Sequence, residues 1–175
     1  DAAGPAGPER TLESPMNRRD AIRRVAAAGA TLALPAWAQS SRIVLGQSAA
    51  FSGPAAQLGI QMHKGAKIYF DQLNAAGGVN GHVIELRTLD DGYEPDRCKA
   101  NTEKLIKEDV FGLIGYVGTP TCVAALPLIN DAKIPFFGPF TGAEALRDPF
   151  SKWVFHLRAS YYDETGLIVK QLTSL

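Results

Sequence analysis

Three hydroxyls lie on two glycine-bearing loops: Thr119 and Thr121 in the run Tyr116-Val-Gly-Thr-Pro-Thr121, and Thr141 in Gly138-Pro-Phe-Thr-Gly-Ala143. Hydroxyls on small-residue loops suit hydrogen bonding to a small polar ligand. Thr121 also stands near the start of a predicted helix, where unpaired N–H groups and the helix dipole favour an anion such as a carboxylate. The competing reading is that Thr119 or Thr121 is only a helix N-cap. His63, His82 and His156 are scattered and form no ligand cluster, with His63 beside Lys64 on a predicted solvated face. Asp90 and Asp91 come nearest to a carboxylate pair, yet adjacent acids at a strand end serve more readily as loop caps than as general acid and base. The glycine motifs of dinucleotide and nucleoside triphosphate sites are absent, as is the Gly-x-Ser-x-Gly of α/β-hydrolases. The inventory points to binding without catalysis, metal or cofactor.

The elements that must position these hydroxyls alternate. Apolar runs predict strands at residues 43–46, 83–89, 111–115, 134–137 and 153–158, with helices between them. In the first helix, Leu58, Met62, Ala66, Tyr69, Leu73 and Ala76 recur at helical spacing, and Gln61, Lys64, Lys67, Asp71 and Asn74 take the other face. The third helix is predicted from residue 121. A last helix begins at residue 162, with Leu167, Ile168 and Leu172 on its apolar side. Strand–helix repeats with short connections give an α/β fold with a doubly wound parallel sheet. Glu85 and Arg87 make the second strand an edge, so the expected order is 2-1-3-4-5. Ligands in such sheets bind at the switch point, here between the first and third strands. The loops carrying Ser52, Thr119 with Thr121, and Phe140-Thr141-Gly142 would meet there.

Composition narrows the classes further. The chain has 175 residues, 46% hydrophobic, with 18 basic and 18 acidic side chains. That suits one core better than two large domains, and no basic footprint argues for nucleic acid. Cys98 and Cys122 each fall in the first turn of a helix; in an oxidising compartment they could pair, and the rival reading is two buried thiols. Residues 1–15, rich in Ala, Gly and Pro, read as unstructured sequence upstream of the true start. Residues 16–38 have the basic head, short apolar middle and Ala36-Trp-Ala38 end of an export signal, of twin-arginine-like or Sec type. An amphipathic N-terminal helix is the alternative. The expected location is the periplasm.

Many separated motifs carry a family resemblance: Ile43-Val-Leu-Gly46 with Ser52-Gly-Pro54, Gly65-Ala66, Asn74-Ala-Ala-Gly-Gly-Val-Asn-Gly81, Asp90-Asp91, Gly115-Tyr-Val-Gly-Thr-Pro-Thr121 and Ile134-Pro-Phe-Phe-Gly-Pro139. Together they resemble the leucine/isoleucine/valine-binding type of ABC-transporter substrate-binding protein, a type I periplasmic binding protein. The resemblance implies two α/β lobes closing on a ligand, with residues 39–175 as the first lobe, ending before the second. It implies delivery of an amino acid or related small carboxylate to an ABC permease, no enzymatic activity, no cofactor, and a monomer when full length. A ligand-sensing domain of a receptor or regulator with the same fold is the alternative.

Residue by residue, the resemblance puts Thr119 at the hydroxyl that meets a ligand carboxylate. Phe140 falls at a carbonyl that meets an ammonium, and Leu58 on the segment that walls the pocket. Gly142 falls where amino-acid binders carry a hydroxyl, with Thr141 one position earlier. That departure leaves room for a ligand other than a standard amino acid. Tyr161 and Tyr162 are candidates for the cleft mouth.

Overall fold

The computed structural model describes residues 42–174, so the expectations for residues 1–15 and for an export signal at 16–38 lie outside the described residues. β1 (Arg42–Ala49) pairs in parallel with β2 (Val83–Asp90) along its whole length, Arg42 opposite Val83 and Ala49 opposite Asp90. On its other side β1 meets β3 (Gly112–Ile114), followed by β4 (Phe136–Phe137) and β5 (Val154–Phe155). The sheet is parallel, in the expected order β2-β1-β3-β4-β5. β2 is an edge, and its charges are satisfied sideways: Glu85 by Arg42 at 3.1 Å, and Arg87 by Glu108 at 2.9 Å.

The strands differ in length from the sequence reading. β1 continues past Gly46 through Gln47 and Ser48, both fully buried. Polar side chains there broke the apolar run, although each is hydrogen-bonded. Gln47 donates to the Gly115 carbonyl, and Ser48 to Asp91. β3, β4 and β5 are shorter than predicted, and Phe111 lies exposed ahead of β3.

α1 (Ala56–Ala75), α2 (Pro95–Lys107) and α3 (Thr119–Ala132) connect the strands. The core lies between the sheet and the packed pair α2 and α3, built on Leu105, Leu113, Tyr116, Ile129 and Phe136. Tyr116 and Phe136 meet edge to face, with centroids 5.0 Å apart. The Tyr116 hydroxyl pairs with Thr102 Oγ1 at 3.1 Å, as a buried phenol requires. Cys98 and Cys122 sit in this core as free, buried thiols, which decides between their two readings. Burial pushes the Cys98 thiol up to about 12, too high for a reactive thiolate.

α1 corrects the helical-face reading. Tyr69 and Leu58 are exposed, whereas Gly59, Met62, His63, Ala66, Phe70, Leu73 and Asn74 are buried or half-buried. His63 therefore does not face solvent: its Nδ1 lies 3.0 Å from Gln47 Oε1. Asn74 bridges the backbone of Ile84, donating to its carbonyl at 2.8 Å and accepting from its N–H at 2.7 Å. Gly59 lets the helix touch the end of β1, since a Cβ there would collide with the Ala50 carbonyl.

Candidate functional site

The site begins at the amino end of α3, two residues earlier than predicted. Gly118 is the N-cap, with φ 102°, a conformation that favours glycine. A Cβ there would also strike the Tyr93 ring, which packs over it. Neither threonine caps the helix by side chain. Thr119 and Pro120 open the first turn, where proline's missing N–H costs nothing. The first-turn N–H groups of Thr119 and Thr121 have no acceptor within the helix.

The two threonines part at the side chain. The Thr121 hydroxyl is fully buried and donates back to the carbonyls of Val117 (2.6 Å) and Gly118 (3.0 Å). It is turned inward, because position 121 lies on the face of α3 that packs on the core. Thr119 is half-exposed, and its Oγ1 is 2.6 Å from Thr141 Oγ1.

The loop after β4 reaches Thr119 because it continues the parallel pairing. Phe140 bridges to Val117, its N–H donating to the Tyr116 carbonyl at 2.8 Å. Its own carbonyl accepts from Gly118 N–H at a long 3.4 Å. Thr141, fully buried, accepts from Ala143 N–H at 3.1 Å and reaches the Tyr161 hydroxyl at 3.4 Å. Tyr161 opens α4 (Tyr161–Thr173), capped by Ser160 in a reciprocal capping box with Asp163. Its N–H donates to the Gly142 carbonyl at 2.8 Å. The Arg158 guanidinium lies over the Tyr161 ring at 5.1 Å and over the Phe140 ring at 5.4 Å. Two 2.7 Å hydrogen bonds to Glu164 hold that guanidinium in place. Arg147 ties the same two segments, donating to the carbonyls of Ala143 (3.0 Å) and Arg158 (2.7 Å). Hydrogen bonds to Thr141 and then Thr119 draw the Tyr161 phenol below its ordinary value.

Ser52 is not joined to this cluster. Its hydroxyl donates to Asp90 Oδ2 at 2.6 Å, because the loop after β1 folds onto the loop after β2. Asp90 also accepts from the N–H groups of Phe51, Ser52 and Gly92, and from Arg97. Leu58 stands half-exposed in the first turn of α1. The structure thus gathers Thr119, Phe140, Thr141 and Gly142, adds Tyr93, Arg158 and Tyr161, and turns Ser52 and the Thr121 hydroxyl elsewhere. One signal for Tyr161 was legible: Ser160-x-x-Asp163 is a capping-box spacing that starts the helix at residue 161. Among the described residues no group of acids, histidines and cysteines could hold a metal ion, and no helix is long and apolar enough to cross a membrane.

Three comparisons bear on this geometry. Residues 42–174 match the family model described as periplasmic binding protein. Leu/Ile/Val-binding protein homolog 7 of Brucella abortus is 30% identical over 149 residues, 85% of this chain and 37% of that protein. The crystal structure of a possible leucine/isoleucine/valine-binding protein from Rhodopirellula baltica SH 1 matches with a TM-score of 0.73 at 42% identity, covering 77% of this chain and 36% of that one. An ABC-transporter solute-binding protein from R. palustris, solved in complex with benzoate, matches at 0.62 with 26% identity, over 69% and 33% of the two chains. The chain spans about a third of the length of these relatives.

Proposed function

Because the chain belongs to the periplasmic binding protein family, we propose that residues 39–175 form the first lobe of an exported solute-binding protein that captures a small carboxylate and presents it to an ABC permease. The observation that carries this reading is the Thr119–Thr141 hydroxyl pair, 2.6 Å apart, at the amino end of α3. Hydroxyls, free first-turn N–H groups and the positive end of a helix dipole converge there, and all three favour a carboxylate. The relatives' names agree on that chemistry: leucine, isoleucine, valine and benzoate share a carboxylate. They differ in the ammonium, so the carboxylate is the part of the ligand assigned to this lobe.

Thr119 donates to the carboxylate, assisted by the N–H groups of Thr119 and Thr121. Thr141 orients Thr119 from behind, since its own oxygen already accepts from Ala143. Phe140 offers its carbonyl and Leu58 an apolar wall, and Gly142 adds no side chain. Closure of a second lobe about a hinge would enclose the ligand, and the permease would read the closed form. Under this reading residues 16–38 direct export to the periplasm, and the full-length protein acts as a monomer.

Calorimetric titration of the full-length protein with L-leucine, L-isoleucine and benzoate tests the assignment. Thr119→Ala should weaken binding of the preferred probe by about tenfold or more, since a hydrogen bond to a charged group is worth about 1.5–3 kcal/mol. Unchanged affinity would remove Thr119 from the site.

A further inference from the structure

We propose that the Tyr161 phenol is a second ligand-binding hydroxyl of this site, brought in by α4 beside a position where the loop has no room for a side chain. The proposal rests on the carboxylate reading above and goes beyond it by adding a residue from another element. Gly142 adds no side chain beside Thr141, and the structure shows why. A Cβ built on Gly142 would lie 2.6 Å from Tyr161 Cδ1, 2.9 Å from its Cε1 and 2.9 Å from the Tyr161 backbone nitrogen. Ring atoms and the backbone at the start of α4 fill the space into which a residue-142 side chain would grow. The hydroxyl found beside the loop here is the one that α4 brings in.

The phenol is held as a binding group should be. Its backbone N–H is fixed to Gly142, its helix start to the Ser160–Asp163 capping box, and its ring face to the Arg158 guanidinium. Arg158 is itself locked by Glu164. Few rotamers remain to be lost when a ligand arrives. Tyr161 is nonetheless 42% exposed, so a ligand can reach it.

Proton counting then gives the phenol a role. Thr119, Thr141 and Tyr161 form a chain with Thr141 in the middle, and Thr141 also accepts from Ala143. Three hydroxyl protons and two internal hydrogen bonds leave one O–H uncommitted. When Thr119 donates to Thr141 and Thr141 to Tyr161, the free proton is on the phenol. When the chain runs the other way, it is on Thr119. The two ends of the chain are therefore alternative donors, and both meet the two oxygens of a carboxylate when the long 3.4 Å Thr141–Tyr161 contact opens. Hydrogen bonding within the chain lowers the phenol's proton affinity, which makes it the stronger donor.

The test uses the full-length protein, with benzoate and L-leucine as probes, and compares Tyr161→Phe with Thr119→Ala. Tyr161→Phe keeps the ring that packs on Gly142, so its melting temperature should stay within about 2 °C of wild type. Its affinity for the bound probe should fall about tenfold, the loss of one charge-assisted hydrogen bond. Wild-type affinity in Tyr161→Phe alongside weakened Thr119→Ala would overturn this proposal and leave the carboxylate reading standing. No change in either variant, or no binding of either probe by wild type, would overturn both. An affinity loss in Tyr161→Phe accompanied by a fall in melting temperature well beyond about 2 °C would also count against the proposal.

Discussion

Asp90 and Asp91 are adjacent in sequence, yet their carboxyls are displaced in opposite directions. Burial acts to raise Asp90, but hydrogen bonds from Ser52, from the Phe51 and Gly92 N–H groups and from Arg97 outweigh it and hold the carboxyl well below the usual range. Asp91 is fully buried; desolvation dominates and raises it despite bonds from Ser48 and the Tyr93 N–H. The consequences for stability have opposite signs. The Asp90 contribution is present above its ordinary value of 3.8 and is lost as pH falls through the depressed one. The Asp91 contribution is present below 3.8 and is lost as pH rises through the raised value. Asp90→Asn should lower stability near neutrality by about 1–3 kcal/mol and flatten the acid limb of the stability–pH curve. Thermal melts across the acid range would show it, and an unchanged acid limb would mean that another carboxylate controls it. The sequence reading took both acids as loop caps, and their hydrogen bonds agree. What it could not supply was the partner: Ser52 was assigned to the ligand loop, and only the fold brings it onto Asp90.

At the scale of elements, strand order was readable because one strand differed from the rest. Glu85 and Arg87 cannot face a covered sheet, so β2 had to lie at an edge, and the remaining connections followed. The phase of α1 was not readable, because hydrophobicity misreports its buried face. The inward stripe contains Gly59, His63 and Asn74, which respectively allow close approach, meet buried Gln47 and bridge Ile84. Large apolar residues such as Tyr69 drew the predicted face away from this stripe. Asn74→Ala should therefore cost about 2 kcal/mol, although the side chain looked solvent-facing, because two backbone groups of β2 lose their partner. Urea unfolding would measure it; a cost near zero would show that water replaces the amide. The same logic explains why α3 starts at Thr119. Gly118 caps it through backbone conformation alone, without the side-chain signal that sequence reading seeks.

Across the whole molecule, the described surface carries far more exposed apolar area on one helix than packing of that helix alone explains. α4 has no buried residue, and Leu167, Ile168, Val169 and Leu172 are all more than half exposed. Leu157, at 89% exposure, and Phe155 on edge strand β5 add to it. Apolar area of this kind drives association in water. Residues 42–174 prepared alone should therefore self-associate, with a sedimentation coefficient that rises with concentration, whereas the full-length protein should not. A monomeric segment would show that this surface is tolerated in water. The sequence did assign Leu167, Ile168 and Leu172 to one apolar side; their exposure could not be inferred, since periodicity says which residues share a face and not what lies against it. α4 also begins with Tyr161, so the exposed apolar helix and the phenol belong to one rigid element. Under the proposed reading, docking along that helix and ligand binding at its start become reciprocal quantities, each changing the other's affinity by the same factor.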